Sequence, residues 1–87
     1  MIIPTQVTVG TSATKLCDIP GGFYAVITNG ATAINIGTTN AVTTGTGAPL
    51  AANAVLPRLT PGGDGATLWA IVSAGTSVVG VLLCRNG

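Results

Sequence analysis

An all-β fold is what this sequence predicts: a small antiparallel β-sandwich or β-barrel of seven to eight short strands. Three observations carry that expectation. Glycine and proline make up 18 of the 87 residues and interrupt the chain at short intervals, leaving little room for a helix of more than about ten residues. The stretches between them are five to nine residues long and rich in Val, Ile, Leu and Thr, side chains that suit a pleated sheet. No window sustains the spacing of a helix face, whereas several alternate apolar with polar residues.

Residues 1–6 read as an N-terminal arm or a first edge strand, ahead of a single domain over 7–87. Three apolar residues at a terminus require cover, and Pro4 favours extended backbone at Ile3. An arm laid on a neighbouring subunit and a first strand of the chain's own sheet both provide that cover. Val7 and Val9 then alternate with Gln6 and Thr8, as in a half-buried strand. Residues 13–19 follow, with Leu16 and Ile19 apolar and Lys15 and Asp18 polar, and Pro20-Gly21-Gly22 ends them. Residues 23–28 are almost continuously apolar or β-branched, which predicts cover on both faces. Asn29-Gly30 is a turn dipeptide because both residues tolerate positive φ, so 23–28 and 33–37 are expected to pair as a hairpin. Residues 38–47, TTNAVTTGTG, read as an exposed connection with a short threonine-rich strand at 41–44. Ala48-Pro49-Leu50 and Val55-Leu56 lead to Arg58-Leu59, a segment whose Pro57 belongs at an edge or a bulge. Residues 61–65 form a turn in which Asp64 bonds the local backbone. Residues 67–72 and 77–84 close the chain as a second hairpin.

Charge is the strongest compositional signal. Charged residues are 6% of the chain, against about 25% in ordinary domains, and 39 residues between Asp18 and Arg58 carry none. High hydrophobicity with a net charge of +1 is the opposite of the disorder signature. The chain folds, and its surface is left to Thr, Ser, Asn, Gly and aliphatic groups. Little repulsion keeps such copies apart, so the expected working state is assembled.

Several chemistries are excluded on residue type. Lys15, Arg58 and Arg85 are isolated, so no nucleic-acid partner is expected, since phosphate neutralisation takes clustered cations. Histidine is absent, which removes the commonest general base and metal ligand. The only acids are Asp18 and Asp64; Asp18 reads as a solvated turn residue or a partner of Lys15. No enzyme activity, metal or cofactor is therefore expected. The glycine clusters at 45–47 and 62–65 lack the Lys-Ser/Thr ending of a phosphate loop. Trp69 reads as core or subunit interface rather than a ligand platform.

Cys17 and Cys84 stand near opposite ends of the chain, and no secretory leader pattern precedes them. They read as buried free thiols, with a disulfide as the alternative; first and last strands that lie together would bring them close without requiring a bond. Residues 65–84 are twenty uncharged residues, the length of a membrane span. Their centre, Ser73-Ala74-Gly75-Thr76-Ser77, is a polar turn, so two buried strands and no membrane association are expected.

The succession VTVGTSATKL, then a strand ending in Ile27-Thr28-Asn29-Gly30, then Ile36-Gly37, Val42-Thr43-Thr44, Gly47 and Leu50, closes on LWAIVSAGTSVVGVLL over 68–83. This pattern resembles small structural proteins of tailed-phage virions and covers most of the chain. The resemblance implies a β-sandwich or barrel that decorates (cements) a capsid shell, associates with itself as a homotrimer, and has the major capsid protein as partner. It also implies assembly in a host cytoplasm and residence on the virion capsid surface, with no catalytic residues. On exposure, contacts are expected at Ile2, Ile3 and Pro4, at Thr38, Thr39, Asn40, Thr43 and Thr44, and at Arg58 and Arg85. A virion fibre or receptor-binding module is the alternative, and a small membrane protein the third class.

Overall fold

A computed structural model of the chain describes residues 2–59 and 65–85, the side chains of Ile2, Ile3, Pro57 and Arg58 excepted. The turn expected at 61–65, with Asp64 in it, therefore falls outside the described residues except for Gly65. The eight strands are β1 (Ile2–Val9), β2 (Thr14–Ile19), β3 (Phe23–Thr28), β4 (Ile34–Gly37), β5 (Ala48–Leu50), β6 (Val55–Leu59), β7 (Ala66–Ile71) and β8 (Ser77–Arg85). They form two antiparallel four-stranded sheets, β1-β8-β3-β6 (sheet A) and β2-β7-β4-β5 (sheet B). The expected all-β sandwich is the observed fold.

Side-chain alternation builds the core between the sheets. Ala25 and Ile27 of β3 and Val79 and Val81 of β8 point inward from sheet A; Leu16, Ile19, Ile34, Leu68 and Ala70 meet them from sheet B. On β3 only this inner face is buried. Tyr24 and Val26 lie half-buried on the other side, so the expected two-sided cover is not made within one chain. A continuous apolar run reported a buried strand but not whether a neighbouring layer exists. Trp69 likewise points away from the core, between Leu68 and Ala70 that point into it, and is half-buried on the outer face of sheet B.

Both expected hairpins are overturned. β3 pairs with β8 and β6, while β4 pairs with β7 and β5. β7 and β8 also lie in different sheets. The linking segments 29–33 and 72–76 carry the chain from one sheet to the other, a separation of about 10 Å that five residues span easily. Gly75 supplies a positive φ of 74° in the second link. Neither Asn29 nor Gly30 has positive φ, so the turn dipeptide works differently from the expectation. Gly30 is required for space, because a Cβ there would collide with the Val78 carbonyl oxygen and come within 3.0 Å of Ser77 Oγ. Among the described residues, β4–β5 is the one hairpin between sequential strands, closed by residues 38–47.

β1 runs without interruption from Ile2 to Val9 along β8, so residues 2–6 lie in the chain's own sheet rather than apart from it. In β2 the register slips between Lys15 and Cys17. The bulge explains why Leu16 and Ile19, three apart, both face the core when a regular strand would turn them to opposite sides. It also turns Lys15 and Asp18 to the same side, where they form an ion pair at 2.6 Å. Prolines occupy three of the four outermost strands: Pro4 in β1, Pro49 in β5 and Pro57 in β6. Pro57 falls where β6 carries an extra residue against β3, an edge and a bulge at once. The fourth, β2, has the Lys15 bulge. Each edge thus lacks the regular donor row that another strand would extend.

Cys17 and Cys84 are free thiols on different sheets, the first half-buried and the second buried. Burial, followed by the neighbouring Asp18 carboxylate, raises the Cys17 pKa. Its thiolate is therefore scarce near neutral pH, and Cys17 should be alkylated more slowly in the native protein than in urea at the same pH. Equal rates in the two states, read by mass spectrometry, would contradict its burial.

Candidate interaction surface

The registers divide the sandwich into two ends. Val9, Thr28, Val55 and Ser77 lie at one; Ile2, Phe23, Leu59 and Arg85 lie at the other. β4 enters at the first end and leaves toward the second, as its pairing with β7 shows: Asn35 opposes Ile71 and Gly37 opposes Trp69. The 38–47 loop thus emerges toward the same end as the start of β1 and the finish of β8. Topology brings Ile2, Ile3, the threonine loop and Arg85 to one end, and Arg58 stands next to Leu59 there. They occupy opposite edges of it, β1 on one side and β4–β5 on the other. Pro4 sits slightly further up, opposite Leu82.

The loop is not a strand at 41–44 but two successive turns. Val42 N–H donates to the Thr39 carbonyl at 3.2 Å, and the Thr46 and Gly47 amides donate to the Thr43 carbonyl at 3.1 and 3.0 Å. Threonine hydroxyls finish both turns. Thr39 Oγ1 accepts from Ala41 N–H at 3.3 Å; Thr46 Oγ1 accepts from Thr43 N–H at 3.0 Å and meets Thr43 Oγ1 at 3.0 Å. Thr39 and Thr43 are therefore engaged inside the loop. The exposed side chains of Thr38, Asn40 and Thr44 have no hydrogen-bond partner among the described residues, and these three are free to bind outward.

Val42 anchors the loop. It is 7% exposed, and its side chain fills the space that Gly37 and Gly47 leave: a Cβ on either glycine would come within 2.8 Å of Val42 Cγ2. Val42→Ala removes two methyl groups at about 0.8 kcal/mol each. The Thr46 and Gly47 amides should then exchange with deuterium several-fold faster, while β3 and β8 amides keep their protection.

Sequence reasoning missed Asn29. Its side chain is 4% exposed, and its Nδ2 donates toward the carbonyls of Thr32, Leu50 and Ala51 at 2.9, 3.1 and 2.9 Å. Oδ1 accepts from Gly30 N–H and Ser77 Oγ–H, both at 2.8 Å. Two amide hydrogens serve three carbonyls, so one is shared. The backbone joins in, with Asn29 N–H on the Ala54 carbonyl at 2.9 Å and Asn53 N–H on the Gly30 carbonyl at 2.8 Å. One residue thereby ties the inter-sheet link to the ends of β5 and β8. The only signal in the sequence was the Asn-Gly pair itself.

The outer faces of the sheets differ. That of sheet B carries the Lys15–Asp18 pair, with Thr67 Oγ1 donating to Asp18 Oδ1 at 2.6 Å, and the half-buried Trp69 and Ile71. The hydrogen bonds from Lys15 and Thr67 lower the Asp18 pKa. Among the described side chains, the outer face of sheet A shows no charge and exposes Val55, Val78 and Leu82, the large apolar residues most open to solvent. Among the described residues no three metal-ligating side chains gather, and no helix is long and apolar enough to cross a membrane. A scan against protein-family models, a search of curated proteins and a search of solved structures each returned no match to this chain.

Proposed function

We propose that the protein is a structural subunit of a tailed-phage virion, a decoration protein that binds the outer capsid shell and bridges capsomer junctions. The observation that carries the reading is the gathering, at one end of the sandwich, of the start of β1, the threonine loop and Arg85. That end offers Thr38, Asn40 and Thr44 on a loop already fixed by Val42, so little conformational entropy is lost when it docks. The threonine loop itself carries no charge, so its docking avoids the desolvation that ion pairs would require. Each junction would gain a modest buried area, and many copies acting together would resist expansion of the shell.

The test is cosedimentation of the purified protein with phage heads that lack it. Saturable binding at a fixed copy number per head supports the reading, and no binding removes it. One observation favours a second reading, a receptor-binding module: Trp69 faces outward on sheet B, as a sugar-stacking ring would. Binding of the isolated protein to host cells but not to heads would establish that alternative.

A further inference from the structure

The outer face of sheet A is ordered in rows that cross its strands. Pro4, Leu82 and Val26 stand side by side on β1, β8 and β3, forming an apolar ridge. In the next row Gln6, Gly80, Thr28 and Val55 stand side by side on β1, β8, β3 and β6. Gly80 has no side chain, and the cleft above it is bounded by Pro4, Gln6, Thr28 and Leu82. Nothing in the chain forces a glycine at this position. Its φ is not positive, and an added Cβ would meet only Thr28, at an ordinary 3.8 Å. A glycine inside a regular strand, where a side chain would fit, leaves room for a close approach from outside the sheet.

We infer that this face docks against the same face of a second copy of the chain, with Leu82 of each copy seated over Gly80 of the other. A face that meets itself does so about a two-fold axis. The axis falls over Val81, which lies between Leu82 and Gly80 at the middle of β8. The unit in solution is then a dimer, in place of the trimer that the phage resemblance implies. Charge disfavours the other outer face as the partner. Seating the outer face of sheet B there would strip water from the Lys15–Asp18 pair against an aliphatic surface, whereas two copies of the sheet A face desolvate no described charge.

Area sets the strength. The four strands hold 28 residues; at ~3.3 Å per residue and ~4.8 Å between strands the face projects to roughly 450 Å². The pair buries about 900 Å², just below the ~1,000 Å² of a stable interface, so the dimer exchanges with monomer as concentration changes. This rests on the reading that the protein works assembled, and it names which surface the copies share.

The experiment is sedimentation of the full chain from about 10 µM to 1 mM, a range that brackets weak association. The weight-average mass should climb from 8.5 kDa toward twice that value. Gly80→Val, which fills the cleft with a good strand former, should stay monomeric throughout, with unchanged circular dichroism and no loss of thermal midpoint. Leu82→Lys should do the same, while Ala74→Lys, in the exposed β7–β8 link, should dimerise like the parent. A parent that is monomeric at every concentration, a trimer, or a dimer untouched by Gly80→Val overturns the inference. Loss of the dimer in Ala74→Lys does so as well. Head binding separates the two proposals: a monomer that binds heads ends the dimer and keeps the capsid reading, and a dimer that ignores heads does the reverse.

Discussion

Asn29→Asp should remove a large share of the domain's stability at neutral pH. The substitution keeps the shape of the side chain and replaces one amide group, Nδ2, with oxygen. That atom faces the carbonyls of Thr32, Leu50 and Ala51, so an ionised carboxylate there would hold a negative charge against three acceptors in a buried site. Three donor–acceptor contacts become repulsive together, and the expected loss is roughly 3–5 kcal/mol. A domain of 87 residues has about 4–13 kcal/mol to lose. The pH dependence follows from the sign of the linkage. Burial among acceptors raises the pKa of the introduced carboxyl in the folded state above its unfolded value. The variant is therefore least impaired at low pH, where the acid is neutral and its O–H can donate to one carbonyl. It loses stability as pH rises through the carboxylate range. Urea midpoints for parent and variant should converge toward acid and separate toward neutrality. A variant as stable as the parent at pH 7 would show that the Asn29 contacts do not hold the links together.

Ile27→Ala should cost about 2–5 kcal/mol, the range for emptying a fully enclosed aliphatic site. Ile27 is 0% exposed, flanked in sheet A by Val81 on β8 and Leu56 on β6, with sheet B closing over it. Its neighbour Val26 supplies the control. It points outward, so Val26→Ala should cost about 1 kcal/mol or less. Chemical denaturation of the pair reads the sandwich directly. Equal losses would mean that β3 is covered on both sides in the isolated chain, contrary to its observed alternation.

Most strand positions were legible in the sequence because the glycines and prolines that end them act locally; the strand expected at 41–44 was the exception. The strands' partners were not legible. A turn signal such as Asn29-Gly30 reports that the chain reverses, and a five-residue link reverses equally well into the next sheet as into the next strand. The deciding group was the Asn29 side chain, whose acceptors at Leu50 and Ala51 lie 21 and 22 residues away in sequence. The three-residue spacing of Leu16 and Ile19 stood in the sequence but was not read as the bulge it is, whereas Pro57 was expected at an edge or a bulge and lies at both. In the threonine loop the exposure was readable, but the division of labour was not. The hydroxyls of Thr39 and Thr43 are drawn inward by turns that only the Val42 anchor defines, and those of Thr38 and Thr44 are left outside.

The blunted sheet edges have a consequence for how so uncharged a chain survives in quantity. With a net charge of +1 and hydrophobic residues making up 47% of its length, it lacks the mutual repulsion that keeps most proteins dispersed. Edge-to-edge pairing between copies needs a regular row of free amides on an outer strand. Pro4, Pro49, Pro57 and the Lys15 bulge interrupt that row on every side. This protection against strand addition lies in backbone geometry, which salt does not screen as it screens charge.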